Sequence, residues 1–358
     1  MPTVIRGKGI RKRVSNEGKC PSNWMQFLRD CQNKTELNTF LAENLSAMTY
    51  PSGRQLFVTS NERVLSNCGL SMSDSDHEEA DTRLVVHIKD ALTKGINNFV
   101  IASSDTDVII ILLSVYHKLR SDYDIIDIVV DFGIKQEHRR ISINNLALSL
   151  GQTRCKAMNF FHAFTGFDTT LAFKGLGKKT AFQAYRAYPD VESVFAGFHT
   201  DPFQNLEEDD EKFKIIQRFA VLMYSRTSLC HSVNDARVEL YFERSQDNES
   251  IPPTKNALLM HTKRAIYQSG VWSNCIEPQQ NLPSPQNFGW QQSRDTPSIW
   301  QPLWMTKQEA CKELRELLVK CGCKTSVCKQ SKRCKCNSVN FLCTRLCSCA
   351  CPSKAPVE

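Results

Sequence analysis

The sequence lacks several features that define whole classes of protein. In its 358 residues no apolar run approaches the roughly 18 residues that a membrane-spanning helix needs. The basic beginning, MPTVIRGKGIRKRV, lacks the apolar core of a secretory signal. Internal repeats are also absent, which excludes repeat architectures. With 41% apolar and 23% charged residues, we expect an intracellular, globular protein of two or three domains that has no membrane partner.

Acidic residues are scarce at both ends of the chain. The first 13 residues carry five basic side chains and no acid, and the last 35 carry seven basic side chains opposed only by Glu358. Basic ends on a nearly neutral body predict contact with a polyanion, and nucleic acid is the usual one. A solvated tail or a nuclear-import signal explains the N-terminal cluster equally well. We therefore expect a nuclear protein.

Cysteine is sparse over most of the chain and concentrated near its end. Nine of the sixteen cysteines lie between residues 321 and 351. Single scattered cysteines are typical of a reducing compartment, and so dense a cluster indicates a metal site rather than a disulfide framework. The clustered residues are Cys321, Cys323, Cys328, Cys334, Cys336, Cys343, Cys347, Cys349 and Cys351.

Helix and strand patterns alternate between residues 79 and 166. Residues 79–94 are apolar on one helical face, 99–103 and 125–133 have the pattern of buried strands, and 155–166 is again helical. The alternation predicts an α/β fold with a mainly parallel sheet flanked by helices. Composition divides the chain into a basic N-terminal segment with helices (1–70), this α/β core (71–200), a helical extension (201–275), a Pro/Gln/Trp-rich linker (276–305) and a helix with the cysteine tail (306–358).

Two aspartates interrupt the apolar stretch IASSDTDVIIILL at 101–113. Asp105 and Asp107 follow a predicted strand, at the sheet edge where parallel α/β folds bind ligands. Residues two apart in an extended segment project to the same side, so both carboxylates can face one point. A surface turn is the simpler explanation of this pair, and helix capping explains Glu79 and Asp81. A further acid, Asp168 in TGFDTT, favours a divalent-cation site instead.

Two other patterns are interpreted as packing. His162, in NFFHAFTG, has aromatic neighbours, and this is more typical of a core histidine than of a metal ligand. The tryptophans of the linker are expected to pack back onto the body of the protein. Neither pattern is assigned a functional role.

Three ordered motifs carry a family resemblance. EEAD (78–81), SSDTD (103–107) and TGFDTTLAFKGLGKKTAFQAY (165–185) look like the core of the flap-endonuclease-like branch of the PIN-domain nucleases. That family has a Glu-Ala-acid motif that opens a helix, an Asp-x-Asp after the next strand, and a Gly-x-Asp before a helix–two-turn–helix element. The resemblance covers about residues 75–200. It implies a structure-specific DNA nuclease that hydrolyses phosphodiesters by a two-metal mechanism.

The resemblance also implies site residues and cofactors. Oxygen ligands select Mg²⁺ or Mn²⁺. The catalytic, metal-binding acids are then Glu79, Asp81, Asp105, Asp107 and Asp168. The hairpin that grips the phosphates of duplex DNA is formed by Gly175, Gly177, Lys178 and Lys179. The alternative for this hairpin is an ordinary turn between helices with solvated lysines.

One part of the family pattern has no counterpart here. Family members place two more acids on an N-terminal strand pair, and residues 1–70 contain no matching segment. We therefore expect a core without its first strand, either because the natural chain is longer or because this copy has lost its chemistry. The second hypothesis is a catalytically inactive, nuclease-derived scaffold that binds DNA through the GLGKK hairpin and the cysteine tail.

The tail has the spacing C-x-C-x4-C-x5-C-x-C-x6-C-x3-C-x-C-x-C. Nine thiolates can fill the coordination of about three tetrahedral Zn²⁺ ions only if three of the sulfurs bridge. The spacing is similar to a CXC module of the tesmin/TSO1 type, which binds such a cluster and contacts DNA. That resemblance implies DNA contacts at Arg333, where the family usually has an aromatic residue, and at Lys335. A metal-stapled cap without DNA contact is the alternative. The whole order of segments resembles animal proteins associated with mobile elements.

Overall fold

The computed structural model describes residues 9–51, 53–124, 126–167, 169–243, 250–294, 296, 299–304, 321–324, 328, 334–338, 343 and 347–351. Over these residues the fold combines helices with small sheets and a C-terminal cluster of cysteines, so the predicted α/β class and cysteine-rich end are confirmed. Asp168, Arg333 and the predicted helix that begins at Thr306 lie outside the described residues.

The elements follow one another in a helix-rich order. The helices are α1 (Trp24–Phe27), α2 (Cys31–Ser46), α3 (Ala80–Thr93), α4 (Thr106–Asp122), α5 (Ile143–Leu150), α6 (Gln152–Phe164), α7 (Lys178–Ala187), α8 (Asp190–Thr200), α9 (Glu211–Tyr224), α10 (Val233–Glu243), α11 (Lys255–Ser273) and α12 (Lys335–Ser338). The strands are β1 (Phe57–Ser60), β2 (Arg63–Ser66), β3 (Asn98–Ser103), β4 (Asp127–Phe132), β5 (Arg139–Ser142), β6 (Trp290–Gln292) and β7 (Trp300–Pro302). Within the described part of the chain, none of the helices has the length and apolar character to cross a membrane.

A three-stranded sheet contains β3, the strand that precedes Asp105 and Asp107 in the chain. Its strand order is β3-β4-β5, and β3 runs parallel to β4 from Asn98 opposite Asp127 to Ser103 opposite Phe132. Helix α4 forms the crossover that two parallel strands require. Strand β5 is antiparallel to β4. The predicted parallel pair is therefore present, but the sheet is less parallel than the sequence suggested.

Strand β3 is more exposed than its apolar sequence predicts. Ile101 is buried, whereas Val100 is 64% exposed. Strand β3 stands at the end of the strand order, so within the described residues only β4 pairs with it. The prediction of a fully buried strand was wrong because a short apolar run does not reveal whether both faces and both edges are covered.

Helices α4, α6 and α8 form the main core beside this sheet. Phe160 of α6 packs 4.7 Å from Phe195 and 4.6 Å from Phe198 of α8, measured between ring centroids, and Phe164 lies 5.6 Å from Phe160. All four rings are fully buried. Burying each one stabilises the fold by about 2 kcal/mol. This aromatic packing fixes α6, which carries His162.

The described residues group into two compact units, each made of separate pieces of chain. The first takes its residues from Met1–Phe173, Tyr185–Asn205 and Thr262–Gln301, and the second from Lys174–Ala184, Leu206–His261 and Pro302–Glu358. The predicted acids Glu79, Asp81, Asp105 and Asp107 belong to the first unit. The glycine hairpin and the cysteine tail belong to the second. The five contiguous segments drawn from composition stay a prediction.

Candidate functional site

The two aspartates of SSDTD begin helix α4. Asp105 is the N-cap residue, and its Oδ1 accepts a hydrogen bond from the backbone N–H of Asp107 at 3.0 Å. Asp107 lies in the first turn, where the positive end of the helix dipole favours a carboxylate. Capping therefore accounts for the backbone position of this pair. It does not account for a third carboxylate at the same place.

That third carboxylate is Asp81, in the first turn of α3. One carboxylate oxygen from each of Asp81, Asp105 and Asp107 lies within 4.8 Å of the other two. Partial burial raises the pKa of the Asp81 carboxyl, and the charges of Asp105 and Asp107 raise it further. Three of the acids predicted from sequence thus converge on one point. A cation at that point would relieve the repulsion among them.

A histidine completes the immediate surroundings of this acidic cluster. His162 Nε2 on α6 lies 2.6 Å from Asp107 Oδ1, and the two residues are only 5% and 8% exposed. The contact orients Asp107 and partly offsets the cost of burying its charge. The sequence predicts His162 to be a core residue, and its burial confirms this. The prediction did not include the contact with Asp107. The available signal was a titratable side chain among the aromatic residues of NFFHAF.

Glu79 was predicted to join the same cluster, and the structure gives its carboxylate other partners. Trp272 Nε1 donates to Glu79 Oε2 at 3.1 Å, and Gln268 Nε2 donates to Oε1 at 3.3 Å. Burial raises the pKa of Glu79, and these two hydrogen bonds partly oppose that effect. Both donors lie on α11, almost two hundred residues along the chain, so sequence reasoning had no means of finding them.

Asp168, the fifth predicted acid, lies outside the described residues, and its role stays a prediction. Its neighbours Phe167 and Thr169 are among the described residues. Thr170 Oγ1 accepts from the backbone N–H of Phe167 at 3.0 Å, and the two backbones form a short bridge.

The glycine hairpin leads into helix α7. Gly175 has a φ of +73°, which a non-glycine residue rarely adopts. Lys178 is the first residue of α7, and both Lys178 and Lys179 are exposed. Unpaired backbone N–H groups at a helix N-terminus favour phosphate, and so do exposed lysines. An ordinary inter-helix turn has the same geometry, so the DNA contact stays a prediction.

The nine cysteines of the tail form one tight cluster. All nine are free thiols, and seven of them are buried. The Sγ of Cys321 is 3.8 Å from those of Cys328 and Cys343, and the Sγ atoms of Cys336 and Cys347 are 3.5 Å apart. A disulfide needs sulfurs about 2.05 Å apart, so none of these three pairs is one.

The sulfur geometry fits zinc. With Zn–S bonds of about 2.3 Å, the edge of a tetrahedral ZnS₄ site is about 3.8 Å. Three overlapping groups of four sulfurs have their members within 4.8 Å of one another, and Cys321 belongs to all three. A backbone hydrogen bond from Cys351 lowers the pKa of Cys349, whereas burial raises the pKa of Cys321 and Cys336. The cluster can therefore bind zinc or a similar soft metal ion.

Of the two predicted DNA contacts of the tail, Lys335 is among the described residues. Arg333 lies outside the described residues. Lys335 begins the short helix α12 and is exposed, directly beside the buried Cys334 and Cys336. The position is compatible with a phosphate contact and does not require one.

Two residues of the basic N-terminus, Arg11 and Lys12, are engaged within the fold. Arg11 forms an ion pair with Glu36, and its Nη1 donates to Asn33 Oδ1 at 2.8 Å. Asn33 is fully buried and also donates to the carbonyl oxygens of Ile10 and Phe27. Lys12 Nζ donates to the carbonyl oxygen of Lys19 at 2.6 Å. Arg11 and Lys12 therefore have structural partners, and the polyanion contact of this cluster stays a prediction.

No family model, curated protein or solved structure matches this chain. The resemblances to the PIN-domain nucleases and to the CXC module stay predictions that rest on the quoted motifs. The geometry described above is independent of them.

Proposed function

We propose that this chain is a metal-dependent, structure-specific DNA nuclease-like protein that hydrolyses phosphodiesters. The observation that carries the proposal is the convergence of the Asp81, Asp105 and Asp107 carboxylates to within 4.8 Å at the starts of two helices. An all-oxygen donor set of this charge fits Mg²⁺ or Mn²⁺ rather than zinc. When bound, such ions activate water and stabilise the leaving oxygen of a phosphodiester.

The chain's own residues then have distinct tasks. Asp105 combines capping of α4 with an exposed carboxylate that substrate and solvent can reach. Asp107 is held by His162, so its orientation does not depend on a ligand. Glu79, buried against Trp272 and Gln268, supports the start of α3 on which Asp81 stands. Asp168 is proposed as a further ligand on the family resemblance alone.

Nucleic acid is the proposed partner, and DNA its proposed form. Support comes from the exposed Lys178 and Lys179 at the start of α7, and from the exposed Lys335 beside the zinc-binding cysteines. Such contacts to phosphate are independent of base sequence. A nuclear protein in a reducing compartment would keep the tail thiolates available for zinc.

The alternative function is a catalytically inactive scaffold that binds DNA without cutting it. The observation in its favour is the number of acids: within the described residues three carboxylates converge, and Glu79 is engaged elsewhere. Strand β3 is also an edge strand there, with no neighbour on its outer side to contribute another acid. Three carboxylates are few ligands for a site that has to bind two cations.

The deciding experiment compares cleavage with binding. Full-length protein is incubated with labelled flap DNA and Mn²⁺, beside a variant that carries Asp105→Asn and Asp107→Asn. The matched control is Asp122→Asn, an exposed acid at the other end of α4. Cleavage that is lost in the double variant and kept in the control supports the nuclease. Salt-sensitive DNA binding without cleavage by any of the three proteins supports the scaffold.

A direct measurement of Mn²⁺ affinity separates the metal site from catalysis. Calorimetric titration is expected to detect Mn²⁺ binding to the wild type and to Asp122→Asn, and a loss of that binding in the double variant. Equal Mn²⁺ binding by all three proteins would remove the acidic cluster from the proposal.

A further inference from the structure

A cavity of about 540 Å³ lies within the first compact unit. Its walls come from the start of α3, from α11, and from residues 280, 282–285, 290 and 300 of the segment that the sequence marks as an irregular linker. The volume is that of a small-molecule site. The side chains that matter below are Arg264, Tyr267, Gln268, Trp290 and Trp300.

Arg264 is the unusual member of this lining. It is 4% exposed, and its only polar partner among the described residues is the carbonyl oxygen of Gly289, which accepts from Nη1 at 3.2 Å. No described carboxylate forms an ion pair with it. Arg264 is part of the cavity lining, so a ligand in the cavity can reach its side chain.

An unpaired guanidinium in this position opposes folding. A buried charge destabilises a protein strongly unless an opposite charge or several hydrogen bonds compensate it. Burial accordingly lowers the pKa of Arg264 to about 10. Arginine remains charged at neutral pH even so, and an anionic group inside the cavity would supply the missing partner, ideally through two parallel hydrogen bonds.

Three aromatic side chains, Tyr267, Trp290 and Trp300, also line the cavity. Trp290 is 5% exposed, and Trp300 lies on the neighbouring strand β7. Tyr267 is fixed in place because its hydroxyl donates to the carbonyl oxygen of Pro283 at 3.1 Å and its ring packs 5.3 Å from that of Phe288. Such rings favour a flat, stacking ligand. The cavity lining thus combines the cationic side chain of Arg264 with aromatic rings on which a planar ligand can stack.

The outer part of the lining has the opposite charge. Asp76 and Glu78 are exposed, Glu79 is half-buried, and all three line the cavity. Asp76 Oδ1 also accepts from the backbone N–H of Gln280 at 2.9 Å. Carboxylates at this position disfavour the entry of a polyanion, and they accept hydrogen bonds from amino groups. This arrangement fits a free small molecule with a single anionic group better than the end of a nucleic-acid strand.

We propose that this cavity binds a free nucleoside monophosphate. Its phosphate pairs with Arg264, its base stacks on the tryptophan and tyrosine rings, and exocyclic amino groups reach the outer carboxylates. Glu79 lines this cavity, whereas the converging carboxylates of Asp81, Asp105 and Asp107 do not, so this binding needs no divalent cation.

The test uses the full chain and calorimetric titration without added metal. Adenosine 5′-monophosphate is the probe, with adenosine, inorganic phosphate and a 5′-phosphorylated single-stranded oligonucleotide as comparisons. We expect the monophosphate to bind more tightly than any of these. Arg264→Met is expected to weaken its binding by about tenfold or more, since a charged hydrogen bond contributes roughly 1.5–3 kcal/mol. Arg29→Met, at an exposed arginine just before α2 that is not part of the lining, is expected to bind normally.

Two outcomes of the titration overturn the proposal. Tighter binding of the oligonucleotide than of the monophosphate, lost in Arg264→Met, would assign the site to strand ends. Absence of monophosphate binding, or equal binding by both variants, would remove it altogether.

A second measurement does not depend on choosing the right nucleotide. If the function of Arg264 is to bind a ligand, its charge destabilises the ligand-free protein. Arg264→Met without ligand is then expected to unfold at the same temperature as the wild type or higher, because it removes this buried charge. Thermal unfolding measures this directly. A melting temperature several degrees below that of the wild type would show that the bond to Gly289 is structural, and would contradict the proposal.

Discussion

Asp107 depends on two neighbours for its place in the acidic cluster. Its backbone N–H donates to Asp105, and its carboxylate contacts His162 at 2.6 Å. A carboxylate that is only 8% exposed requires such a donor to offset its lost hydration. At the residue scale, the candidate site is therefore preorganised by a side chain that is not itself a proposed ligand.

Replacing His162 tests this dependence. His162→Leu is expected to lower the free energy of unfolding by about 2 kcal/mol, because it leaves a buried carboxylate without its donor. His162→Gln retains a donor and is expected to lose less. Urea unfolding at neutral pH measures both, with the exposed His138→Leu as the control. Equal losses in the two His162 variants would show that only ring packing against Trp272 matters.

A second histidine predicts a dependence of stability on pH. Burial lowers the pKa of His199 to about 4, and the charges of Lys156 and Lys118 lower it further. Its Nδ1 accepts from Ser273 at 2.8 Å and from Asn159 at 3.1 Å. Between pH 6.5 and pH 4, His199 is protonated in the unfolded chain and neutral in the folded protein. The stability that His199 contributes is therefore complete above pH 6.5 and is lost as the pH falls towards 4.

Urea unfolding at pH 7 and pH 5 measures that loss. His199→Asn, which keeps a hydrogen-bond acceptor, is expected to lose about 2 kcal/mol less than the wild type between these two values, at roughly 1.4 kcal/mol per pH unit. The exposed His138→Asn is expected to follow the wild type. If His199→Asn loses as much stability as the wild type, the side chain is already protonated in the folded state.

At the scale of elements, local pattern and distant contact contribute differently. The extended conformation expected around Asp105 and Asp107 was wrong, because Asp107 lies in the first turn of α4. The apolar face of α3 and the parallel pairing of β3 with β4 were predictable, because they follow from the periodicity of residues 79–94 and from the alternation of helix and strand. The exposure of Val100 was not, since it depends on which elements cover the sheet. Contacts such as His162 with Asp107 and Trp272 with Glu79 join residues far apart in sequence, and a single sequence contains no record of such pairs.

The start of α4 gives an element-scale prediction. Asp105→Ala removes an N-cap and is expected to lower the free energy of unfolding by about 1 kcal/mol. Asp105→Asn keeps the cap and removes a charge that repels Asp81 and Asp107, so without divalent cations it is expected to be at least as stable as the wild type. Thermal unfolding without added metal compares the three proteins.

The same measurement with Mn²⁺ connects the cap to the proposed site. Mn²⁺ is expected to raise the melting temperature of the wild type, because it binds the folded state, and to have little effect on Asp105→Asn. An equal rise in both proteins would show that Mn²⁺ binds elsewhere.

At the scale of the whole molecule, the two clusters of potential metal ligands belong to separate units. Carboxylate oxygens gather in the first unit and thiolate sulfurs in the second. Hard and soft donors select different ions, so Mn²⁺ and Zn²⁺ are not expected to compete for the same ligands. The sequence revealed the sulfur cluster fully, because its ligands are close along the chain. It revealed the oxygen cluster only in part, because Asp81 and Asp107 meet through the fold.

The sulfur cluster gives a prediction about metal content. Cys321 belongs to all three overlapping groups of four sulfurs, whereas Cys323 belongs to one. Cys321→Ser is therefore expected to lower the zinc bound per chain more than Cys323→Ser, and Cys20→Ser, an exposed cysteine far from the tail in sequence, is expected to change nothing. Elemental analysis of purified full-length protein measures the zinc. Because the oxygen site uses other ligands, Mn²⁺ affinity should stay the same in all three variants. Equal zinc losses in Cys321→Ser and Cys323→Ser would mean that Cys321 does not bridge, and that each ion has its own set of sulfurs.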